Sequence, residues 1–365
     1  PDIVTGSVGY NSYWGFSGQT MIALSDIMGN HRFYIYTDFA YSIQNSDFQL
    51  TYFYLPRRID YGLGVFNFRN YYYISETDEW FGDRTYGAMA LLSAPFSKFR
   101  RLDFSLLWLA IEREYYDFDS FYYYYYVYRP QGIRVLMPTL SLVHDTVLWG
   151  YTGPVNGSRS ILTVQYSPEI GINTRSFATV MGDYRQYIRL SKRHHFALRL
   201  AGGISKGKNP QRFFLGGMDN WAWADYARTD VFDLEDFYFA VVQTPLRGYD
   251  YYELSGTKFA LANFEFRYPL INQLSLGWPL PVAFRDIRGV LFFDVGSAWD
   301  DNRAFRPLSR YRGLPKFDSL RGGYGLGARL NIWYTILRYD IAWQTDLSAE
   351  SPGQPTHYLS LGAEF

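Results

Sequence analysis

The sequence contains no cysteine. This absence excludes thiolate metal sites, a cysteine nucleophile and disulfide cross-links. A net charge is also lacking, because 35 basic residues balance 35 acidic residues when histidine is neutral. The totals therefore give no indication of the basic surface that nucleic-acid binding requires.

Long apolar runs are missing as well. No stretch approaches the roughly 18 consecutive apolar residues of a membrane-spanning helix, and the mean hydropathy is −0.21. Aromatic residues are abundant instead, at 20% of the chain, with 35 Tyr, 29 Phe and 10 Trp. Many aromatics without an apolar run are typical of a transmembrane β-barrel, in which Tyr and Trp lie at the two membrane interfaces. A soluble β-sandwich or propeller is the alternative.

Alternation between apolar and polar residues is clearest near the C-terminus. It runs through three segments, Arg321–Asn331, Thr335–Thr345 and His357–Phe365. In the first segment, Leu326, Ala328 and Leu330 share one face, whereas Arg329 lies on the other. Period-two alternation gives a strand two faces, which fits lipid outside and a wet lumen inside.

Similar segments recur along the whole chain and predict an all-β fold, a transmembrane antiparallel β-barrel of about sixteen strands. At roughly 9–11 residues per span, these strands and their loops fit residues 1–365 as one outer-membrane β-barrel domain. Slips in the alternation at Val65-Phe66 and near Leu106-Leu107 predict bulges. Two connections, Thr146–Gly157 and Pro269–Gly289, are long although their order in the chain places them among the short turns.

The longest connection, Ser205–Thr257, lies between two predicted strands. It opens with RFFLGG at Arg212–Gly217 and closes with LRGY at Leu246–Tyr249. Arginine presents a rigid fork of donors to a carboxylate and stays charged when it is partly buried. We therefore interpret this loop as folded back into the lumen of the barrel, with Arg247 held by inward-facing carboxylates.

The two segments after the loop supply candidate carboxylates. In KFALANFEFRYP, Lys258–Pro269, Glu265 shares a face with Asn263 and Arg267. In VLFFDVG, Asp294 lies on the face opposite the neighbouring Phe and Val. The alternative is an ordinary network of lumen charges without a mechanistic role.

Taken in order, RFFLGG, LRGY, NFEFRYPL, VLFFDVG and the terminal LSLGAEF resemble the BamA/TamA-type outer-membrane assembly barrels, also called the bacterial surface antigen family. The resemblance is strong over Gln211–Phe365, and LSLVHDTVLWGYTGPVNGSR at Leu140–Arg159 also fits it. The first half of the chain matches only in strand count. An RGY alone would be weak, whereas this ordered set at this spacing is specific.

The resemblance implies a sixteen-stranded barrel in the outer membrane of a Gram-negative-type bacterium, with its sixth extracellular loop in the lumen. It also implies that the arginine of the RGY motif contacts an aspartate and a glutamate of the following strands. Here the motif residues are Leu246, Arg247, Gly248 and Tyr249, and the partners are Glu265 and Asp294. Expected partners are outer-membrane lipid and lipopolysaccharide, unfolded or nascent client proteins and envelope accessory proteins, and not nucleic acid.

The sequence departs from the family pattern in two places. Residues Met218–Pro245, with Trp221 and Trp223, separate the GG and RGY motifs, which are only a few residues apart in most members. No POTRA-like αβ repeats precede the barrel, and the start at Pro1-Asp2 without a signal peptide leads us to expect the C-terminal part of a longer chain. The FFLGG-x-DNW start and SDIMGNH at Ser25–His31 are similar to a branch whose barrel follows TolB-like propeller repeats.

The expected function is assembly or translocation of proteins at the outer membrane, through a lateral gate between the first and last strands. The first strand, Asp2–Tyr10, is rich in small residues, and a glycine in the last strand, Thr356–Phe365, weakens it and resembles the kinked closing strand of the family. The gate and closing-strand residues are Ser7, Ser360, Gly362 and Phe365. A frayed terminus without a gating role is the alternative interpretation.

Two other classes of function are alternatives. The chain could be a membrane anchor that tethers or displays an N-terminal periplasmic or surface domain without insertase activity. His144-Asp145 and His194-His195 could suggest an enzyme or a metal site, but no Gly-x-Ser-x-Gly or third spaced ligand supports either. We therefore predict no catalytic residues, no metal site and no cofactor.

The barrel interpretation makes a direct prediction about the purified chain. It should require detergent, give a β-dominated circular dichroism spectrum, and migrate differently in gels before and after heating. The heat-dependent mobility is expected because a closed sheet resists unfolding by the gel detergent until it is heated. A monodisperse, detergent-free monomer would contradict the interpretation.

Overall fold

The computed structural model describes residues 2–11, 15–40, 46–74, 79–118, 125–128, 132–171, 173–227, 234–277, 282–301, 305–311, 314–332, 335–348 and 353–362. The strands and the helix of these residues are, in chain order, β1 (Ile3–Asn11), β2 (Gly15–Ser25), β3 (His31–Ala40), β4 (Asp47–Tyr54), β5 (Asp60–Ile74), β6 (Glu79–Ser97), β7 (Arg100–Phe118), β8 (Tyr125–Tyr128), β9 (Ile133–Asp145), β10 (Leu148–Gly150), β11 (Gly153–Ser167), β12 (Phe177–Arg189), β13 (His195–Gly207), β14 (Phe213–Leu215), β15 (Trp221–Ala222), α1 (Leu234–Phe239), β16 (Val241–Gln243), β17 (Leu254–Gly256), β18 (Lys258–Leu276), β19 (Val282–Trp299), β20 (Leu308–Tyr311), β21 (Leu314–Phe317), β22 (Arg321–Ile332), β23 (Thr335–Thr345) and β24 (Thr356–Leu361). Among the described residues, no helix has the length and apolar character needed to cross a membrane.

The chain divides into two compact units. The first comprises Pro1–Leu142, Val164–Ala178 and Gly207–Asn209, and the second comprises Val143–Thr163, Thr179–Lys206 and Pro210–Phe365. In the first unit, β1 to β7 pair antiparallel in chain order, and β8 pairs with the end of β7. Pairing of neighbours in the chain needs only short hairpin connections, as the alternating segments predict.

In the middle strands of the first unit, one face carries a buried ion pair and the other carries exposed apolar side chains. On the buried face, Arg113 donates from Nε and Nη2 to the two carboxylate oxygens of Asp83, each at 2.7 Å. The guanidinium of Arg113 also lies over the ring of Phe81 at 4.0 Å. On the other face, Leu63 and Trp108 are 60% and 42% exposed. An exposed apolar face opposite buried charges fits strands with lipid on the outside.

In the second unit, β13, β18, β19, β22, β23 and β24 form consecutive antiparallel pairs. Large apolar side chains are exposed on one face, such as Leu291 at 49% and Leu326 at 47%, while Glu265, Asp294 and Arg329 are buried on the other. The alternation read from the sequence is therefore confirmed in these strands.

The central loop of the second unit forms a small sheet of its own. Strand β14 pairs in parallel with β16 and antiparallel with β17. Its apolar side chains join an apolar cluster with the loop and the facing strands, formed by Ala201, Phe213, Leu215, Leu246, Tyr249, Phe259 and Leu261. Burial of each large apolar side chain contributes about 1.5–3 kcal/mol, so this cluster stabilises the loop against the inner face of the sheet.

The two predicted bulges are wrong. The pairing register runs without a break through Val65-Phe66 and Leu106-Leu107. The slip at Phe66 arises because this large aromatic residue lies on the inner face, where it stacks on Phe68 at 5.7 Å. Register shifts occur instead at Pro95/Ser97, at Pro269/Ile271 and between Leu148 and Trp149 in the β10–β11 hairpin. The first two contain a proline, which has no N–H for the strand ladder.

The two long connections that broke the pattern of turns contain strand. Strand β18 continues to Leu276 and β19 begins at Val282, so Pro269–Gly289 is mostly paired strand. The segment Thr146–Gly157 contains β10 and the start of β11, which form a hairpin. The tyrosine-rich segment Phe121–Tyr128 is described only from Tyr125 onward, where it forms β8. Residues 121–124 lie outside the described part of the chain.

Because these strands have one lipid-facing side and one inward side, the free-energy cost of introducing a charged side chain should depend on its position. Leu326→Arg, on the outer face of β22, should lower the free energy of unfolding in lipid by about 2–4 kcal/mol, because an arginine on the lipid face is poorly solvated. The matched variant is Leu308→Arg, since Leu308 is 54% exposed in the β20–β21 hairpin. Urea titration in liposomes measures both, and an equal effect of the two variants would contradict lipid contact at β22.

Candidate functional site

Arg247 lies at the centre of a fully buried cluster of charges. Its Nε and Nη2 donate to Asp294 Oδ2 and Oδ1 at 2.7 and 2.9 Å, which is the bidentate arginine–carboxylate geometry. Its Nη1 donates to Glu265 Oε1 at 2.8 Å. The backbone N–H of Arg247 also donates to Asp294 Oδ2, at 3.1 Å. The structure therefore brings together Arg247 and the two carboxylates that the resemblance assigns to it.

Two further arginines and one further carboxylate complete the cluster. Arg329 donates from Nη1 and Nη2 to Asp340 at 2.5 and 3.0 Å. Arg267 donates from Nε and Nη2 to Glu265 Oε2 at 3.0 and 2.7 Å. Asp340 also lies 3.5 Å from Nη1 of Arg247, which links the two halves. Three guanidinium groups thus neutralise three carboxylates, so the cluster has no net charge.

Burial makes the balance of this cluster important. The side chain of Arg247 is 0% exposed, and those of Glu265 and Asp294 are 2% and 0% exposed. Burial by itself disfavours a charged guanidinium, but Asp294 and Glu265 outweigh it and raise the pKa of Arg247 well above its ordinary value. The guanidinium carbon of Arg247 lies 3.6 Å from the centroid of the Phe292 ring, which covers one face of the group. Arg247 is therefore permanently charged, with carboxylates at its edges and an aromatic ring on one face.

Two glycines make the close approach of the RGY motif possible. Gly248 has a φ of +99°, a conformation that side-chain-bearing residues rarely adopt. Its N–H donates to Tyr358 Oη at 2.7 Å, and its carbonyl accepts from Gln344 Nε2 at 2.8 Å. A Cβ atom at Gly323 of β22 would collide with the backbone carbonyl of Arg247. The glycines on both sides of the contact thus let the loop backbone lie directly on the strands.

The other motif residues attach the loop to the sheet. Leu246 is buried in the apolar cluster of the central loop. Tyr249 donates from its hydroxyl to the carbonyl of Gly322 at 2.9 Å, and its own carbonyl accepts from Tyr358 Oη at 2.8 Å. The motif therefore contacts β22 and β24 as well as the strands that carry the carboxylates.

The GG and RGY motifs lie side by side despite the insertion between them. Leu246 N donates to the carbonyl of Gly217 at 3.0 Å, and Gly217 N donates to the carbonyl of Tyr249 at 3.0 Å. The insertion, residues 218–245, therefore begins and ends at the contact between the GG and RGY motifs. The insertion lengthens the loop without disturbing the contact between the two motifs.

The alternation of strand faces in the sequence does not by itself identify the whole charge cluster. Asp340 and Arg329 lie on the inward faces of their strands, but so do other polar residues, and only the strand register brings them to Arg247. Asn263 is a further member, because its Nδ2 donates both to Asp294 Oδ1 and to the carbonyl of Pro245, each at 2.8 Å. Asn263 shares a strand face with Glu265, and this shared face is the sequence signal that could have identified Asn263.

The gate and closing-strand residues lie apart from the charge cluster in the chain. Ser7 lies in β1 opposite Gln19. Ser360 is buried in β24, and its hydroxyl accepts from Arg338 Nε at 3.0 Å. Gly362 directly follows β24 with a φ of +134°, and Phe365 lies outside the described residues.

A polar cavity of about 380 Å³ lies beside the cluster. Its charged lining comes from Asp183, Arg185, Arg199, Asp219, Arg247, Glu265, Arg329 and Arg338. Such a lining fits a wet lumen. Within the described part of the chain, no three His, Asp or Glu side chains are grouped as metal ligands.

The family model described as Omp85 superfamily domain matches residues 34–365. That match begins far upstream of Gln211, where the strong motif resemblance starts. Among proteins of curated function, none matches the chain.

Solved structures share the fold at low sequence identity. A BamA structure from Haemophilus ducreyi, lacking POTRA domains 1–3, has a TM-score of 0.60 at 15% identity, covering 99% of this chain and 70% of that one. CdiB from Acinetobacter baumannii has a TM-score of 0.51 at 12% identity, covering 98% of this chain and 58% of the other. CdiB from Escherichia coli has a TM-score of 0.50 at 12% identity, covering 98% and 62%. The chain thus spans less than two thirds of each CdiB chain, and these likenesses concern the fold alone.

Removal of the central guanidinium should destabilise the protein. In Arg247→Ala, Asp294 and Glu265 lose a buried partner, a change that typically costs about 3–5 kcal/mol. We expect a loss of this order in the free energy of unfolding, measured by urea titration in liposomes. The matched control is Arg310→Ala, because Arg310 is exposed in the β20–β21 hairpin.

Charge reversal tests whether the loss is electrostatic. Arg247→Glu should destabilise more than Arg247→Ala, since it adds a fourth carboxylate to those of Asp294, Glu265 and Asp340. Combination with Asp294→Arg should recover part of the stability by restoring an opposite pair. If Arg247→Ala unfolds at the same urea concentration as the parent, the loop is not held by this cluster.

Proposed function

The chain belongs to the Omp85 superfamily, and from this membership and the lumen site we propose that it assembles or translocates unfolded client proteins at the outer membrane. Membership also places it among the outer-membrane β-barrel proteins of Gram-negative bacteria. We treat residues 1–365 as one such barrel domain. Superfamily members of this kind are transport and assembly factors rather than enzymes.

The observation that carries the proposal is the attachment of the RGY loop by the buried charge cluster. One arginine, Arg247, makes charge-assisted hydrogen bonds to carboxylates on β18 and β19. A loop that only capped the barrel would not need three buried ion pairs. We propose that the cluster fixes the loop inside the lumen as a strut, so that the barrel keeps its shape while one seam opens.

The proposed seam is a lateral gate between β1 and β24. Strand β1 contains Thr5, Gly6, Ser7 and Gly9, which offer little cross-strand packing. Strand β24 is short and ends before Gly362, whose positive φ turns the backbone away from a strand conformation. In this structure β15 pairs with the edge of β24. When the seam opens and β15 leaves, backbone N–H and C=O groups are exposed, to which strands of an unfolded client can add.

The proposed partners follow from this mode of action. Unfolded or nascent client proteins would bind by backbone pairing, while lipid and lipopolysaccharide would contact the exposed apolar face. Envelope accessory proteins are further proposed partners. No covalent chemistry is involved, because strand addition exchanges only non-covalent contacts.

A membrane anchor is the second candidate function. The observation behind it is the low sequence identity to the matched structures, 15% and 12%. Similarity at this level shows a shared fold and not a shared activity. An anchor would hold an N-terminal periplasmic or surface domain and would need no opening of the seam. The two candidates therefore differ in whether locking the seam matters.

Cross-linking the seam distinguishes them. Because the sequence has no cysteine, Ser7→Cys combined with Ser360→Cys has no competing thiol. Ser360 pairs with Trp221 of β15 in this structure, so the disulfide reports the state in which β15 has left the edge of β24 and β1 pairs with it. Neighbouring pairs should be scanned too, since a disulfide needs Cα atoms within about 7 Å. In liposomes that contain the chain, an unfolded β-barrel client should fold faster than in empty liposomes, as followed by its heat-dependent gel mobility. Oxidation of the paired variant should abolish the acceleration, and reduction should restore it.

The single variants Ser7→Cys and Ser360→Cys are the controls, because they experience the same oxidant without a cross-link. Full acceleration by completely cross-linked protein would contradict the lateral gate. If the parent chain never accelerates client folding, the anchor is the better account.

A further inference from the structure

The edge of β24 that faces away from β23 is occupied by the chain's own loop. Ser360 pairs with Arg338 of β23 on one side and with Trp221 of β15 on the other. Leu359 likewise pairs with β23 and with Ala222 of β15. A residue in a sheet has one partner on each side, so β15 lies on the outer edge of β24.

The loop also binds the free backbone acceptors of this edge. Gly362 N donates to Ile336 O of β23 at 3.0 Å. By alternation along an antiparallel strand, the carbonyls of His357 and Leu361 therefore point away from β23. Trp221 Nε1 donates to the carbonyl of His357 at 3.2 Å. In the same way, Asn220 Nδ2 donates to the carbonyl of Leu361 at 3.0 Å. Side chains thus satisfy the acceptors that a longer partner strand would bind with its own N–H groups.

Apolar and polar contacts hold this segment, Met218–Ala222, which we call the edge segment. The ring of Trp221 packs on that of Tyr358 with centroids 4.5 Å apart. Met218 and Trp221 are 3% and 9% exposed and join an apolar cluster with Tyr358. Arg338 Nη2 donates to the carbonyl of Asp219 at 2.9 Å, across β24. The edge segment is therefore a specific ligand of the edge and not a loop that passes near it.

The pairing itself is short. Strand β15 contributes two residues, whereas β18 and β19 pair over most of their lengths. An open edge is a hazard, because it pairs with any exposed strand. A short internal occupant covers the edge but contributes few backbone hydrogen bonds, so a longer strand can outcompete it. Its location in the insertion, outside the small sheet of β14, β16 and β17, lets it leave without breaking that sheet.

We propose that the outer edge of β24 is a strand-binding edge, that the edge segment is its built-in competitor, and that an incoming extended segment displaces it. The contacts define the partner: an antiparallel strand with an aromatic residue opposite Ser360 and a small residue opposite Leu359. The aromatic ring would stack on Tyr358, as Trp221 does. This inference rests on the proposed function, since a client protein would supply the strand.

A peptide-binding experiment tests the proposal on the full chain in detergent. The probe is a fluorescent peptide with the sequence of residues 217–225, GMDNWAWAD. Fluorescence anisotropy should give at least about tenfold tighter binding to Trp221→Ala than to the parent, equivalent to about 1.4 kcal/mol, because the competitor is weakened. Trp223→Ala is the matched control: Trp223 is two residues away but 85% exposed, so binding should equal that of the parent.

A disulfide between the edge segment and β24 gives the opposite test. Ala222→Cys with Leu359→Cys joins residues directly opposite each other, at a separation that suits a disulfide. The oxidised form should bind no peptide, and reduction should restore binding, which also shows that this variant is folded. A probe with alanine in place of the first tryptophan should bind at least about tenfold more weakly.

Three results would overturn the proposal. They are failure of the disulfide to form in the resting protein, peptide binding by the oxidised form, and equal affinities for Trp221→Ala and Trp223→Ala. Peptide binding and client folding are separate readouts. Loss of the first alone removes the competitor model, whereas binding without accelerated client folding would contradict the proposed assembly function.

Discussion

The buried contact between Arg247 and Asp294 is the interaction on which the second unit depends. A bidentate ion pair without solvent is stable only when the remaining donors and acceptors are satisfied. Glu265 and Asp340 accept from Arg247, Asn263 donates to Asp294, and Arg329 in turn pairs with Asp340. Each of these residues needs an inward position on a strand of fixed register. The cluster therefore links the loop to four strands, and a shift of any one by a single residue would turn its charge to the apolar face.

The same constraint explains the small residues around the site. Gly323 leaves room for the backbone of Arg247, and Gly248 adopts a φ that other residues avoid. Tyr358 connects this site to the edge of β24, because its hydroxyl binds the RGY backbone while its ring supports Trp221. Tyr358 is thus shared by the RGY contact and by the occupied edge of β24.

The alternation of apolar and polar residues predicted the strands, whereas contacts between distant parts of the chain could be identified only from the structure. Alternation placed Glu265 and Asp294 on inward faces, because that pattern is a property of each strand alone, and the family motif supplied Arg247. The role of Asp340 depends on register between strands, which alternation does not specify. Phe66 misled the prediction, since a large aromatic on the inner face imitates a bulge. Trp221 was noted only as part of an insertion, because a two-residue strand has no detectable period.

Distance measurement by electron paramagnetic resonance tests the central claim most directly. Spin labels on cysteines at Trp223, in the loop, and at Leu326, on the outer face of β22, report whether the loop is docked. A loop held by Arg247 should give one narrow distance distribution in the parent and in Arg310→Ala, and a broad distribution in Arg247→Ala. An equally narrow and unshifted distribution in Arg247→Ala would contradict the account.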